Sequence, residues 1–184
     1  ESRLLPDSCR LIGTGSTQNQ DLMESILSSA HTWFLESYQQ SPYGDLTIRL
    51  VEGIKGTERQ PVQVGEQTLG PYFPVTIEPR SRCVTVRFRD LRALFTFSES
   101  YDSDDLKLVL AEGRFVRRAE ASSFREFVSN STTAIADFRG DFSEWLVWTE
   151  DQLFQVLAGE EPEIVVDDRP PDFSIKRGGT WSAS

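Results

Sequence analysis

Histidine, cysteine and lysine are scarce in this chain of 184 residues, and each scarcity closes off a kind of chemistry. The single histidine, His31, lies inside an amphipathic stretch, and no Gly-x-Ser-x-Gly elbow stands anywhere to give it a nucleophile, so a serine or cysteine triad is not expected. With His31, the two cysteines Cys9 and Cys83 offer three soft or borderline ligands in no Cys-x-x-Cys or His-x-x-x-His arrangement. The pattern calls for no zinc and no other cofactor. So low a cysteine count fits the reduced thiols of a cytosolic chain, and spacing alone leaves open whether Cys9 and Cys83 are bridged. Only Lys55, Lys107 and Lys176 are lysines among the 19 basic residues; the rest are arginines, able to meet carboxylates bidentately. No apolar run approaches the roughly 18 residues of a membrane span, and the opening ESRLLPDSCRLIG lacks the basic-then-apolar layout of a secretory signal. A cytoplasmic location is the expectation, with no membrane partner.

Acid is what the chain has in surplus: 29 carboxylates against 19 basic groups give a net charge of -10, which repels phosphate backbones and argues against a nucleic-acid partner. Hydrophobic residues make up 38% and aromatics 11%, a core-forming composition. One domain of this length buries close to 70% of the surface its unfolded chain exposes, enough to fold without disulfide or metal.

Along the chain, residues 1–19 read as an extended arm. Met23, Ile26, Leu27, Ala30, Phe34 and Tyr38 then recur at spacings of three and four, predicting a long amphipathic helix over residues 20–39 that ends at SPYGD. LTIRLVEGI alternates as a strand with one wet face. Residues 53–70, with KGTERQPVQVGEQTLG, read as a long connecting loop suited to binding. Strand signals follow at 73–77, 84–88 and 93–97, separated by segments short enough for antiparallel hairpins, and again at 106–110 and 114–118. SSFREFVSN predicts a short helix with Ser123 and Glu126 as its capping box. EWLVWT and QLFQVLAG flank Glu150-Asp151 as a hairpin, EEPEIVV adds a last strand, and residues 167–184 read as a flexible tail. The expected fold is α+β: a single domain over residues 20–166, mainly antiparallel sheet, with one long N-terminal helix and one short helix packed on it.

Candidate chemistry concentrates in FTFSESYDSDDL, where Glu99, Tyr101, Asp102, Asp104 and Asp105 form the expected binding residues. Oxygen-rich clusters suit hard cations, yet the spacing here is not that of an EF-hand loop, and a solvated hairpin loop is the better reading of it. GTGSTQ at residues 13–18 lacks the Gly-Lys-Ser/Thr ending of a phosphate loop. The aromatics Trp145, Trp148 and Phe154 read as cross-strand core packing, with an apolar pocket as the alternative.

Three stretches, VTVRFRDLRALFTFSESYD, ASSFREFVSNST and EWLVWTEDQLFQVL followed by PEI, together with YGDLTIRLVEG upstream, resemble an uncharacterised family of small bacterial proteins. In that pattern a strand ends in an Asn-Glu-Ser-Tyr-like motif, a Ser-x-Phe helix follows, and a strand pair closes before Pro-x-Ile. The chain departs from it at Ser98, where the Asn would stand, and at Glu144-Trp145 in place of a His-Tyr pair, so any chemistry of that histidine is missing here. The resemblance implies a bacterial setting and an organisation of elements, with no activity. Glu99 is then expected to accept turn amides or pair with Arg87, Arg89 or Arg92.

Two readings of function follow. One is a non-enzymatic, immunity-type or regulatory domain that binds a basic protein partner, with a homodimer through an edge strand also open. The other is a small-ligand or metal-dependent enzyme built on the carboxylates from Glu99 to Asp105. Whether the chain is an enzyme is left undecided by its sequence.

Overall fold

The computed structural model describes residues 26–101, 104–132 and 140–175. Twelve antiparallel strands dominate it: β1 Thr32–Gln40, β2 Leu46–Lys55, β3 Gln60–Val64, β4 Gln67–Tyr72, β5 Val75–Thr76, β6 Cys83–Phe88, β7 Leu91–Ser98, β8 Val109–Leu110, β9 Val116–Ala121, β10 Ser143–Trp148, β11 Gln152–Ala158 and β12 Glu163–Asp167. A 3-10 turn, Glu99–Tyr101, a short helix, α1 Ser123–Ser131, and helical residues at 26–28 accompany them. The first sheet runs β1-β2-β6-β12 with β5 also on β2, the second runs β7-β11-β10-β9-β8, and β3 and β4 form a separate two-stranded ribbon. The fold is therefore mostly β, and the α+β expectation is corrected.

The long N-terminal helix is the element that fails. A helical turn at residues 26–28 gives way to β1, because Thr32, Trp33, Phe34 and Tyr38 are strong strand formers with β2 available as a partner. Leu35 pairs with Leu50 and Ser37 with Arg49, so Glu36 is an extra residue. This bulge shifts the inward-facing positions from Trp33 and Leu35 to Tyr38 and Gln40, so Phe34 and Tyr38, which the helical reading put on one stripe, face opposite sides of the strand. His31, expected half packed on that helix, is exposed.

The two five-stranded sheets share one core. Leu46, Ile48 and Leu50 of β2 and Val84, Val86 and Phe88 of β6 face Val147 of β10 and Phe154, Val156 and Ala158 of β11. The Tyr38 and Phe154 rings, 5.2 Å apart and edge to face, bridge from the first sheet to the second. The expected β10–β11 hairpin is present, and its turn is fastened to β1: Asp151 accepts the Leu35 N–H at 2.8 Å and Glu150 donates its N–H to the Trp33 carbonyl at 3.0 Å. The hairpins expected from β5 to β7 are not formed. Both β5 and β6 pair with β2, while β7 belongs to the other sheet and pairs with β11. Part of the 53–70 loop is the β3–β4 ribbon.

The outer face of the first sheet carries a buried ion cluster beside apolar side chains such as Val51 and Cys83. Arg49, with 7% of its side chain exposed, pairs with Glu36 at the bulge and with Asp167 on β12 at 2.7 Å. It also donates to the carbonyls of Arg169 and Pro170, at 2.7 and 3.2 Å, and Glu36 accepts the Asp172 N–H. The stretch after β12 thus lies against the sheet, with Pro171 buried. Hydrogen bonds from Arg169 and Arg49 hold the Asp167 carboxyl far below the usual aspartate value, so it contributes stability at neutral pH that is lost as pH falls below about 4. Removing one partner from a buried ion cluster leaves the others uncompensated. Arg49→Ala is expected to cost about 3–5 kcal/mol in urea unfolding, and adding Glu36→Gln to it should recover part of that loss.

Candidate functional site

In the second sheet both faces of the central strands are apolar. On β11, Phe154 and Val156 point into the core, while Leu153, Gln155 and Leu157 point away from it and are buried as well. Something must cover that outer face. One half is covered by α1, whose Val128 is buried and whose Phe124 ring stands 5.8 Å from Phe95 of β7. A helix of nine residues is about 13 Å long, whereas five strands span about 19 Å across.

The helix is capped by Ser122 rather than by the expected Ser123. Ser122 Oγ accepts the Arg125 N–H at 2.8 Å, and Glu126 pairs with Lys107 instead of closing a capping box. The same Ser122 hydroxyl lies 2.8 and 2.7 Å from the two oxygens of Glu144 on β10, to which it donates. Glu144 is completely buried between the helix start and the sheet, where desolvation pushes its carboxyl above the usual glutamate value against the opposing pull of Ser122 and Arg125. Gln155 reaches it from β11 at 3.5 Å, the long limit of a hydrogen bond.

Gln155 is also the polar spot in what α1 leaves uncovered, a cleft of about 320 Å³. Its walls are Phe97 of β7, Leu108 and Leu110 beside and in β8, Leu146 and Trp148 of β10 and Leu153 of β11, with the side chains of Arg114 and Arg117 along one flank. Arg117 donates from Nε to the Ala111 carbonyl at 2.9 Å and from Nη2 to Leu110 at 3.4 Å. Arg114 donates to the carbonyls of Ser28, Ala30 and His31 at 3.3, 3.4 and 3.4 Å. The cleft therefore combines an apolar floor, one amide and two permanent cations.

Of the expected site residues, Glu99, Asp104 and Asp105 are not among the residues that line this cleft. β7 and β8 are opposite edges of the second sheet, and residues 99–108, with their carboxylates, are the stretch of sequence between them. Glu99, half-buried in the 3-10 turn, gives its N–H to the Asp151 carbonyl at 3.2 Å. Its expected arginine partners are engaged elsewhere: Arg87 and Arg89 with Glu163, Arg92 with Asp90. Asp104 is exposed. Asp105 serves the helix, accepting the Ser123 N–H at 2.8 Å, the Ser123 hydroxyl at 2.7 Å and the Lys107 N–H at 3.0 Å. Desolvation works to raise its carboxyl, and these bonds outweigh it, leaving the carboxyl below the usual aspartate value. Tyr101 belongs to the 3-10 turn, and Asp102 lies outside the described residues, as do Cys9 and the GTGSTQ segment. Among the described residues no three His, Cys, Asp or Glu side chains gather in a metal-binding arrangement, and no helix is long and apolar enough to cross a membrane.

Of the aromatic cluster, Trp148 lines the cleft, Phe154 is core, and Trp145 packs against the core with its indole N–H buried and without an acceptor among the described residues. Arg114, Arg117, Leu110, Leu146 and Gln155 were not singled out by sequence. The available signal was the unbroken apolar character of WLVW and LFQVLA, which marks strands covered on both faces beside a helix too short to cover them.

No family model, no curated protein and no solved structure matches the chain, so the resemblance to the small bacterial family is not carried further.

Glu144 generates a prediction about pH. Its raised carboxyl binds more protons folded than unfolded, so stability is expected to fall as pH rises from the usual glutamate value, with the full cost present once the folded carboxyl is ionised. Glu144→Gln should raise Tm at pH 8 relative to the parent, and the difference should vanish near pH 4. An equal shift at both values would show that burial of the charge is not the cause.

Proposed function

We propose that the protein is a non-catalytic binding domain whose site is the half-covered outer face of the second sheet, holding a small, largely apolar ligand. The observation that supports this is the cleft itself: apolar walls from four different strands around a single amide, with a volume of about 320 Å³, at the lower end of the range for small-molecule sites. Binding is favoured over catalysis by the chemistry of its polar groups. Guanidiniums and a carboxamide are neither bases nor nucleophiles at neutral pH, and Glu99, Asp104 and Asp105 are not among the lining residues. Leu110→Trp would fill the cleft from β8. In ligand-observed NMR with a fragment library, apolar fragments are expected to bind the parent and to lose binding by at least about tenfold in L110W; hits that survive the substitution would place the site elsewhere.

A second reading, a basic protein partner, is favoured by the β3–β4 ribbon. Its strands are hydrogen-bonded only to one another, β4 is exposed along its whole length, and Leu69 and Tyr72 are among the exposed large hydrophobic residues. A ribbon of two strands is marginal by itself, and docking against a partner would stabilise it. The net charge of -10 would steer a basic partner to the protein as a whole, with an attraction screened over about 8–10 Å at physiological ionic strength. Captured from a lysate, one basic protein should be retained at low salt, released at high salt and lost with the double variant Leu69→Asp, Tyr72→Asp. Retention by that variant would exclude the ribbon as the contact.

A further inference from the structure

We infer that the ligand of the cleft is a small monocarboxylate with a flat apolar body, its charge held by Arg114 and Arg117; this rests on the reading of the cleft as a ligand site. The arginines of this chain find carboxylates readily: Arg49, Arg80, Arg82, Arg87, Arg89, Arg92 and Arg169 all reach one. Arg114 and Arg117 form no ion pair among the described residues, and both flank the same cleft. Arg59, Arg118 and Arg125 have no ion pair among the described residues either, and what sets Arg114 and Arg117 apart is that they stand together at one cleft. Main-chain carbonyls orient them without neutralising them. Their bonds engage Nε and Nη2 of Arg117 and both terminal nitrogens of Arg114, the latter at 3.3 Å or more, so donors of each fork remain for an incoming anion.

The rest of the cleft selects the body of that anion. Phe97 and Trp148 offer aromatic surface and Leu110, Leu146 and Leu153 an aliphatic floor, while Gln155 can give its amide N–H to a polar substituent. The volume suits one ring with a short acidic arm. A polyanion is disfavoured because the net charge of -10 opposes each further negative charge, whereas a single carboxylate is met bidentately by a planar fork.

The test is a titration of the ¹⁵N-labelled full chain with 3-phenylpropionate and with its neutral isostere 3-phenylpropanamide, following amide shifts. Both ligands should shift residues of β8, β10 and β11 with millimolar affinity, the acid about tenfold more tightly, as a charge-assisted hydrogen-bonded contact allows. Arg117→Gln and Arg114→Gln should each bring the acid towards the amide and leave the amide unchanged, with Arg117→Lys retaining part of the preference. Equal binding of acid and amide would overturn the inference while leaving the cleft as a site. Binding of neither would overturn the ligand-site reading as well. Because the two arginines are substituted separately, a variant that loses its dispersed spectrum leaves the other to decide.

Discussion

Between Phe88, the last residue of β6, and Leu91, the first of β7, the chain has two residues in which to leave one sheet and enter the other. Asp90 makes the corner in the left-handed region, at φ 54°, where Asp is one of the few side chains tolerated. Three separate contacts hold it there. Arg92, with 4% of its side chain exposed, donates to the Asp90 carboxylate at 2.8 Å. The Gly159 N–H, just past β11, donates to the Asp90 carbonyl at 3.0 Å, and the Leu91 N–H donates to Gly44, just ahead of β2, at 2.6 Å. A side chain at Gly159 would run into the Asp90 carboxylate, so the close approach requires glycine. Through this corner the ends of β2, β6, β7 and β11 are fixed relative to one another. Those strands supply most of the shared core.

The two sheets then solve the problem of their outer faces differently. The first sets an ion cluster of Arg49, Glu36 and Asp167 under the residues that follow β12, a polar solution that works only because every charge has a partner. The second keeps an apolar outer face and lays α1 over half of it, fastened by Asp105 and Ser122 at the helix start and by Glu144 beneath. The acidic run that stands out in the sequence is in part the fastening for that helix. The uncovered half, with its two arginines, is what remains available for a ligand.

Several elements were legible from local pattern: β2, β6, β7, the β10–β11 pair, β12 and the helix at 123–131, with the helix cap displaced by one residue. These are places where alternation or capping chemistry is undisturbed. β1 was misread because Ala30, Phe34 and Tyr38 stand four apart, a spacing that a helix would also give, whereas the extra residue Glu36 leaves Phe34 and Tyr38 on opposite faces of the strand. The ribbon was missed for another reason. β4 is exposed along its length, the alternation in β3 extends only over Val62-Gln63-Val64, and the Gly and Pro content of the ribbon reads as loop.

What the sequence by itself determined was composition, charge, the presence of most strands and one short helix, because these depend on residues within a few positions of one another. Which strands pair was decided only in three dimensions. The short link at Arg89-Asp90 looks like a hairpin turn, yet it joins two sheets, because β6 gains more by lying between β2 and β12 and β7 by lying against β11. The candidate site follows the same rule: Phe97, Arg114, Arg117, Trp148 and Gln155 come together from four separate stretches of chain. Their convergence is a consequence of sheet order and of a helix too short for its sheet. Sheet order is written in no local pattern, and the short helix shows its consequence only once that order is known.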